Sequence, residues 1–118
     1  MAFAMRKVLT VTLLGLSIIS SVVAEQGKAV IYSSRFQGRP TASKETFNQE
    51  ALTAAHKTLP FGTKVKVTNT ANQKSVVLKI NDRMASRNSN IIDVTRKAAQ
   101  ELGFVKAGSA QVAVEVVQ

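Results

Sequence analysis

Few side chains in this sequence are suited to acid–base chemistry, and they sit at well-separated points. Asp82, in Asn81-Asp82-Arg83, follows the apolar run from Val76 to Ile80, so a carboxylate stands at a strand end, a rigid platform for a reacting group. His56, the single histidine, follows Thr53-Ala54-Ala55; Glu45 lies in a polar loop, and Asp93 just ahead of a helix start. A carboxylic acid that keeps its proton near neutral pH can protonate a leaving oxygen, and a neighbouring carboxylate or imidazole can tune it. Each residue also has a plain structural reading. Asp82 can pair with Arg83 or cap its own turn, His56 can be a satisfied core histidine, Glu45 can be merely solvated, and Asp93 can cap the helix. Taken singly, none is a site.

Composition narrows the chemistry further. The 118 residues contain no cysteine, which excludes a disulfide scaffold, thiol catalysis and cysteine-ligated metal, and one histidine argues against a protein-only metal site. No metal and no cofactor are expected. The 16 Lys and Arg against 7 Asp and Glu leave a net charge of +9, scattered along the chain rather than clustered. With one Tyr, five Phe and no aromatic-basic recognition motif, nucleic acid is not an expected partner. A solvated basic surface and attraction to an acidic cell-wall polymer both remain open.

The N-terminus reads as an export signal. Arg6 and Lys7 precede an apolar run over residues 8–19, and Val22-Val23-Ala24 offers small residues for cleavage after Ala24. That run falls short of the roughly 20 residues a membrane-spanning helix needs, so no permanent anchor is expected, and without a cysteine neither is a lipid anchor. The expected organisation is a signal peptide over residues 1–24 and one domain over 25–118, periplasmic or secreted. Removal of Arg6 and Lys7 with the leader leaves the domain near +7.

The elements that must position the candidate residues are mainly strands. Lys64-Val65-Lys66-Val67-Thr68 and Val112-Ala113-Val114-Glu115-Val116 alternate, and residues 28–32 and 75–80 are further candidates. Thr70-Ala71-Asn72-Gln73 should close a hairpin, with Asn72 in the left-handed region. Leu59-Pro60-Phe61-Gly62 fits a type I turn just after His56. One helix is expected, capped by Thr95, carrying Ala98, Ala99 and Leu102 on one stripe and ended by Gly103. Some six short strands with one or two short helices describe a small, closed β-barrel.

Several blocks together resemble the rare lipoprotein A family. They are Phe36-Gln37-Gly38-Arg39-Pro40-Thr41-Ala42-Ser43-Lys44-Glu45-Thr46-Phe47, then Leu52-Thr53-Ala54-Ala55-His56-Lys57-Thr58-Leu59-Pro60-Phe61-Gly62-Thr63, Asn81-Asp82-Arg83 and Ile92-Asp93-Val94-Thr95. Order and spacing agree over residues 27–117. The resemblance implies a six-stranded double-psi β-barrel and an endolytic peptidoglycan lytic transglycosylase. The substrate it implies is glycan strands stripped of stem peptides, and the products are 1,6-anhydro-N-acetylmuramic acid ends. It places the functional positions at Glu45, His56 and Asp82, and a further acidic position at Asp93. On this reading Asp82 is the acid, His56 positions the sugar or tunes the acid, and Tyr32 and Asp93 meet the substrate. Arg83 is a candidate for holding the lactyl carboxylate of muramic acid, or is a surface residue.

The sequence departs from the family's pattern in four places. Met84-Ala85-Ser86 replaces Gly-Pro-Phe, Ile31-Tyr32-Ser33-Ser34 replaces a Trp-Tyr-Gly element, Gln37 stands for a His, and Lys44 for a Gly. An expansin-like glycan-binding module without turnover, or a barrel that binds and regulates another cell-wall enzyme, are the alternative readings.

Overall fold

Val65, Val67, Val76, Leu78, Ile80, Val112 and Val114 alternate with more exposed neighbours, and their side chains meet in one buried interior. That alternation is what a strand produces when one face is covered. A computed structural model describes residues 23–118, so residues 1–22 of the expected signal peptide lie outside the described residues. The elements are β1 (Glu25–Ile31), β2 (Thr53–His56), β3 (Lys64–Asn69), β4 (Ser75–Arg83), β5 (Ile92–Val94), α1 (Arg96–Leu102) and β6 (Ser109–Val116), with a 3₁₀ turn at Ser34–Phe36. The strands close into a barrel in the order β1-β5-β2-β4-β3-β6. This is the six-stranded, mainly β architecture expected from the sequence.

Two of the six pairings are parallel, β1 with β5 and β2 with β4, and the rest are antiparallel. The parallel pairs require crossover connections, so residues far apart in sequence are laid side by side. β2 is buried along its whole length between β4 and β5. Helix α1 packs Ala98, Ala99 and Leu102 onto the core, and Phe104 joins them. Its ends form as the sequence implies: the Thr95 hydroxyl accepts from the Ala98 N–H, and Gly103 takes the left-handed conformation that ends the helix.

Three local expectations are corrected. In the β3–β4 hairpin the left-handed residue is Gln73 (φ 64°), not Asn72, because the Asn72 side chain is already engaged. It donates to the Leu102 carbonyl and accepts from the Lys74 N–H. The turn after His56 closes one residue later than expected, with Thr63 N–H donating to the Pro60 carbonyl and Gly62 at φ 95° in the third position. A positive φ there belongs to a type II turn, not type I. Finally, Asp93 is not the helix cap. It lies within β5, and Thr95 does the capping.

Candidate active site

β2 carries the centre of the site. Ala55 is paired with Asp82 on β4 on one side and with Asp93 on β5 on the other. Adjacent strands lie about 4.8 Å apart, so the two aspartates stand roughly 10 Å apart at their Cα atoms across one small residue. A shift of register makes this possible: Ala54 pairs with Ile80 and Ala55 with Asp82, leaving Asn81 as an extra residue in β4. Such a bulge re-aims the side chains that follow it. Asp82 therefore sits inside the end of β4 rather than in a loop beyond it.

Both aspartates line a cavity of about 570 Å³, together with Tyr32, Arg39, Ala55, Arg83 and Met84 among others. The methyl group of Ala55 leaves its floor open. Asp82 is gripped from three directions: Oδ2 accepts from the Tyr32 hydroxyl at 2.9 Å, and Oδ1 accepts from the Ala42 and Arg83 N–H groups, each at 2.9 Å. The Ala42 N–H is delivered by a small loop bridged at its base between Pro40 and Thr46, within which Thr41 and Glu45 bond through their backbones. Ser43 N–H ties this loop to the Asn81 carbonyl.

Tyr32 packs on Phe47 at 4.4 Å between ring centroids and edge-on to Phe36 at 6.4 Å. Burial, reinforced by the charge of Asp82, pushes its ionisation far above the ordinary tyrosine range, so it remains a donor. Asp93 is more than half buried and its Oδ1 has no hydrogen-bond partner among the described residues. Burial first, and the charge of Asp82 second, push its pKa up to about 6.

Of the other expected site residues, Arg83 lines this cavity, and His56 and Glu45 lie outside it. The Arg83 guanidinium reaches outward, donating from Nη1 to the carbonyls of His56 (3.0 Å) and Leu59 (2.8 Å) and lying 4.5 Å from the centre of the Phe61 ring. His56 is buried, and its ring does not line the cavity. Nδ1 accepts from the Thr58 and Leu59 N–H groups, which leaves Nε2 to donate to Glu25 Oε1 at 2.8 Å. Its carbonyl also accepts from the Met84 N–H. Glu45 belongs to a second, smaller hollow with Phe61, Lys79 and Asn81, where Lys79 Nζ (2.7 Å) and Asn81 Nδ2 (3.0 Å) hold it. Those bonds, Lys79 first, lower its pKa.

Three contributors escaped the sequence reading. Ala55 carried little signal, since Ala54 beside it and Ala29 on β1 are equally small and buried. Gln49 carried none: its amide donates to the Tyr32 carbonyl and accepts from the Arg96 N–H, tying the end of β1 to the start of α1. Arg39 is conspicuous only once the cavity is seen, because its backbone is clamped while its guanidinium has no partner among the described residues.

Comparison with known proteins agrees with this architecture. Residues 24–114 match a family described as lytic transglycolase. The chain is 48% identical over 93 residues to the endolytic peptidoglycan transglycosylase RlpA of Neisseria meningitidis, covering 79% of this chain and 39% of that protein. It is 51% identical over 94 residues to a probable endolytic peptidoglycan transglycosylase RlpA of Nostoc, covering 78% and 25%. The chain thus spans well under half of the length of these relatives. Among solved structures it is similar to the Streptomyces papain inhibitor at 18% identity and a TM-score of 0.65, covering 80% of this chain and 94% of that one. A Clavibacter michiganensis expansin is similar at 20% identity and a TM-score of 0.65, covering 81% and 51%. The fold is a double-psi β-barrel. No helix among the described residues is long and apolar enough to cross a membrane.

Proposed function

This chain belongs to the lytic transglycolase family, and from that membership we propose that it is an endolytic peptidoglycan lytic transglycosylase. Its substrate is glycan strands lacking stem peptides, and its products carry 1,6-anhydro-N-acetylmuramic acid ends. It acts outside the cytoplasm after export and needs no cofactor. The observation that carries this reading is one cavity holding Asp82 and Asp93 on either side of Ala55.

The reaction breaks the bond between C1 of N-acetylmuramic acid and O4 of N-acetylglucosamine and forms one from C1 to the sugar's own O6. A carboxylic acid gives its proton to O4 as the bond lengthens, and the resulting carboxylate takes the proton from O6, so no water is consumed. One carboxyl group suffices. Asp93 suits this task, because its pKa of about 6 leaves a useful fraction protonated near neutral pH and its Oδ1 is unengaged. Asp82, whose oxygens already accept three hydrogen bonds, lends negative charge to the oxocarbenium-like centre and keeps the proton on Asp93. This reading gives the acid's role to Asp93 rather than to Asp82, the candidate that came with the family resemblance. His56 and Glu45 serve as positioning residues, His56 by holding the turn that anchors Arg83 and Glu45 by fixing Asn81 beside Asp82.

The test is digestion of amidase-stripped peptidoglycan with product analysis by mass spectrometry. Anhydro-muramyl products are expected from the wild type, with loss of at least about 100-fold in Asp93→Asn and in Asp82→Asn. In the wild type kcat/KM should decline as the pH rises past about 6, where Asp93 loses its proton. Co-sedimentation with the glycan but no anhydro ends would leave a binding module instead.

A further inference from the structure

The cavity is lined by two aspartates, Asp82 and Asp93, and two arginines, Arg39 and Arg83. Of the two arginines that line it, Arg83 gives Nη1 to the carbonyls of His56 and Leu59 and rests on the face of Phe61. Arg39 is different. Its N–H donates to the Phe36 carbonyl and its own carbonyl accepts from the Phe47 N–H, so the backbone is held on both sides, yet its guanidinium has no hydrogen-bond or ion-pair partner among the described residues. Arg39 is exposed and lines the cavity, and a guanidinium free of other partners can offer its planar fork of donors to a planar anion, a carboxylate above all.

We propose that Arg39 is a specificity-determining residue that binds the free lactyl carboxylate of a muramic acid residue lying in the cavity. The assignment rests on the glycan-cleaving reading above and deepens it. A stem peptide joins the glycan at that carboxylate as an amide, which is neutral and offers one carbonyl oxygen in place of two charged ones. A strand still bearing its peptide therefore forfeits the charge-assisted fork, and the bare strand keeps it. The sequence offered Arg83 either for this role or as a surface residue; its Nη1 already serves two backbone carbonyls. The polarity of the cavity agrees: with Asp82 and Asp93 in the wall, a carboxylate ligand needs a cation to offset their charge, and Arg39 lines the same cavity.

The test compares stripped glycan strands with the same strands after carbodiimide coupling of methylamine, which converts each lactyl carboxylate to a neutral methylamide at unchanged length. Cleavage by mass spectrometry and binding by co-sedimentation are both read. The wild type should favour the free acid by about tenfold, mainly through KM. Arg39→Gln should treat the two substrates alike, at the wild type's level on the methylamide; Arg39→Lys, which keeps the charge but not the fork, should fall between. Arg83→Gln should preserve the discrimination. If Arg39→Gln keeps the wild-type ratio, or the wild type shows none while still binding or cutting the strands, the assignment is overturned and the glycan reading stands. If the wild type neither binds nor cuts either substrate, both fall together.

Discussion

At the scale of single residues, the pair Asp82 and Asp93 separates two carboxyl groups by their surroundings. Asp82 accepts from a hydroxyl and two backbone N–H groups, whereas Asp93 is buried with an oxygen that meets no donor. The difference bears directly on stability. An ordinary aspartate titrates near 3.8, and in the native state Asp93 titrates at about 6, so between those values the folded protein holds a proton that the unfolded chain has shed. The stabilisation this brings is complete below about pH 4 and disappears as the pH rises through 6. Asp93→Asn, which is neutral throughout, should therefore gain on the wild type as the pH is raised from 4 to 7. Urea midpoints of both proteins across that range would check it; parallel curves would mean that Asp93 titrates normally. His56 is a contrasting case, because all of its ring nitrogens' bonds go to the turn at Thr58 and Leu59 and to Glu25, none to the cavity.

At the scale of elements, the loop between the 3₁₀ turn and β2 has the largest share in shaping the site. It brings the Ala42 N–H to Asp82 and the Glu45 carboxylate to Asn81. To turn back on itself it puts Lys44 at φ 81°, the left-handed region, where any residue with a Cβ is strained. Glycine, which the family resemblance leads one to expect at this position, meets that conformation without strain. Lys44→Gly should relieve the strain and, after the greater freedom glycine gives the unfolded chain, raise stability by about 0.5 to 1 kcal/mol. A rise of a few degrees in Tm by circular dichroism would bear this out, and a fall would show that the lysine side chain stabilises the loop by contacts of its own. The strands and α1 were legible beforehand because alternation, a Thr cap and a Gly terminator are local signals. The meeting of Asp82 with Tyr32 and Ala42 was not, since it depends on a bulge at Asn81 and on contacts 50 and 40 residues apart in sequence. The family resemblance pointed to Glu45, His56 and Asp82 as a group, whereas the geometry sets Asp82 inside the cavity and the other two just outside it.

At the scale of the whole molecule, the barrel is closed by β1, which lies between β6 and β5 and leads directly into Tyr32, the residue whose hydroxyl holds Asp82. Its first residues have more than one task. Glu25, Gln26 and Gly27 pair with Val114, Ala113 and Val112 of β6, and Glu25 also receives the His56 Nε2–H. Gly27 is required by packing, because a Cβ there would come within 2.6 Å of the Ile91 side chain. A barrel has no spare edge, so removing one end of one strand uncovers the backbone of its neighbours on that side and leaves a buried histidine donor without its acceptor. A protein beginning at Glu25 should unfold in one cooperative transition. One beginning at Ala29, without the Glu25 contact and with four pairings to β6 gone, should lose about 3 kcal/mol or more, a large part of the 5 to 15 kcal/mol typical of a domain. Thermal unfolding followed by circular dichroism distinguishes the two, and amide exchange adds the decisive detail. If the shortened protein keeps full protection in the middle of β6, from Gln111 to Val114, closure of the barrel does not depend on the start of β1. If that protection is lost and the Tyr32 hydroxyl resonance broadens with it, the closing strand and the grip on Asp82 form one cooperative unit.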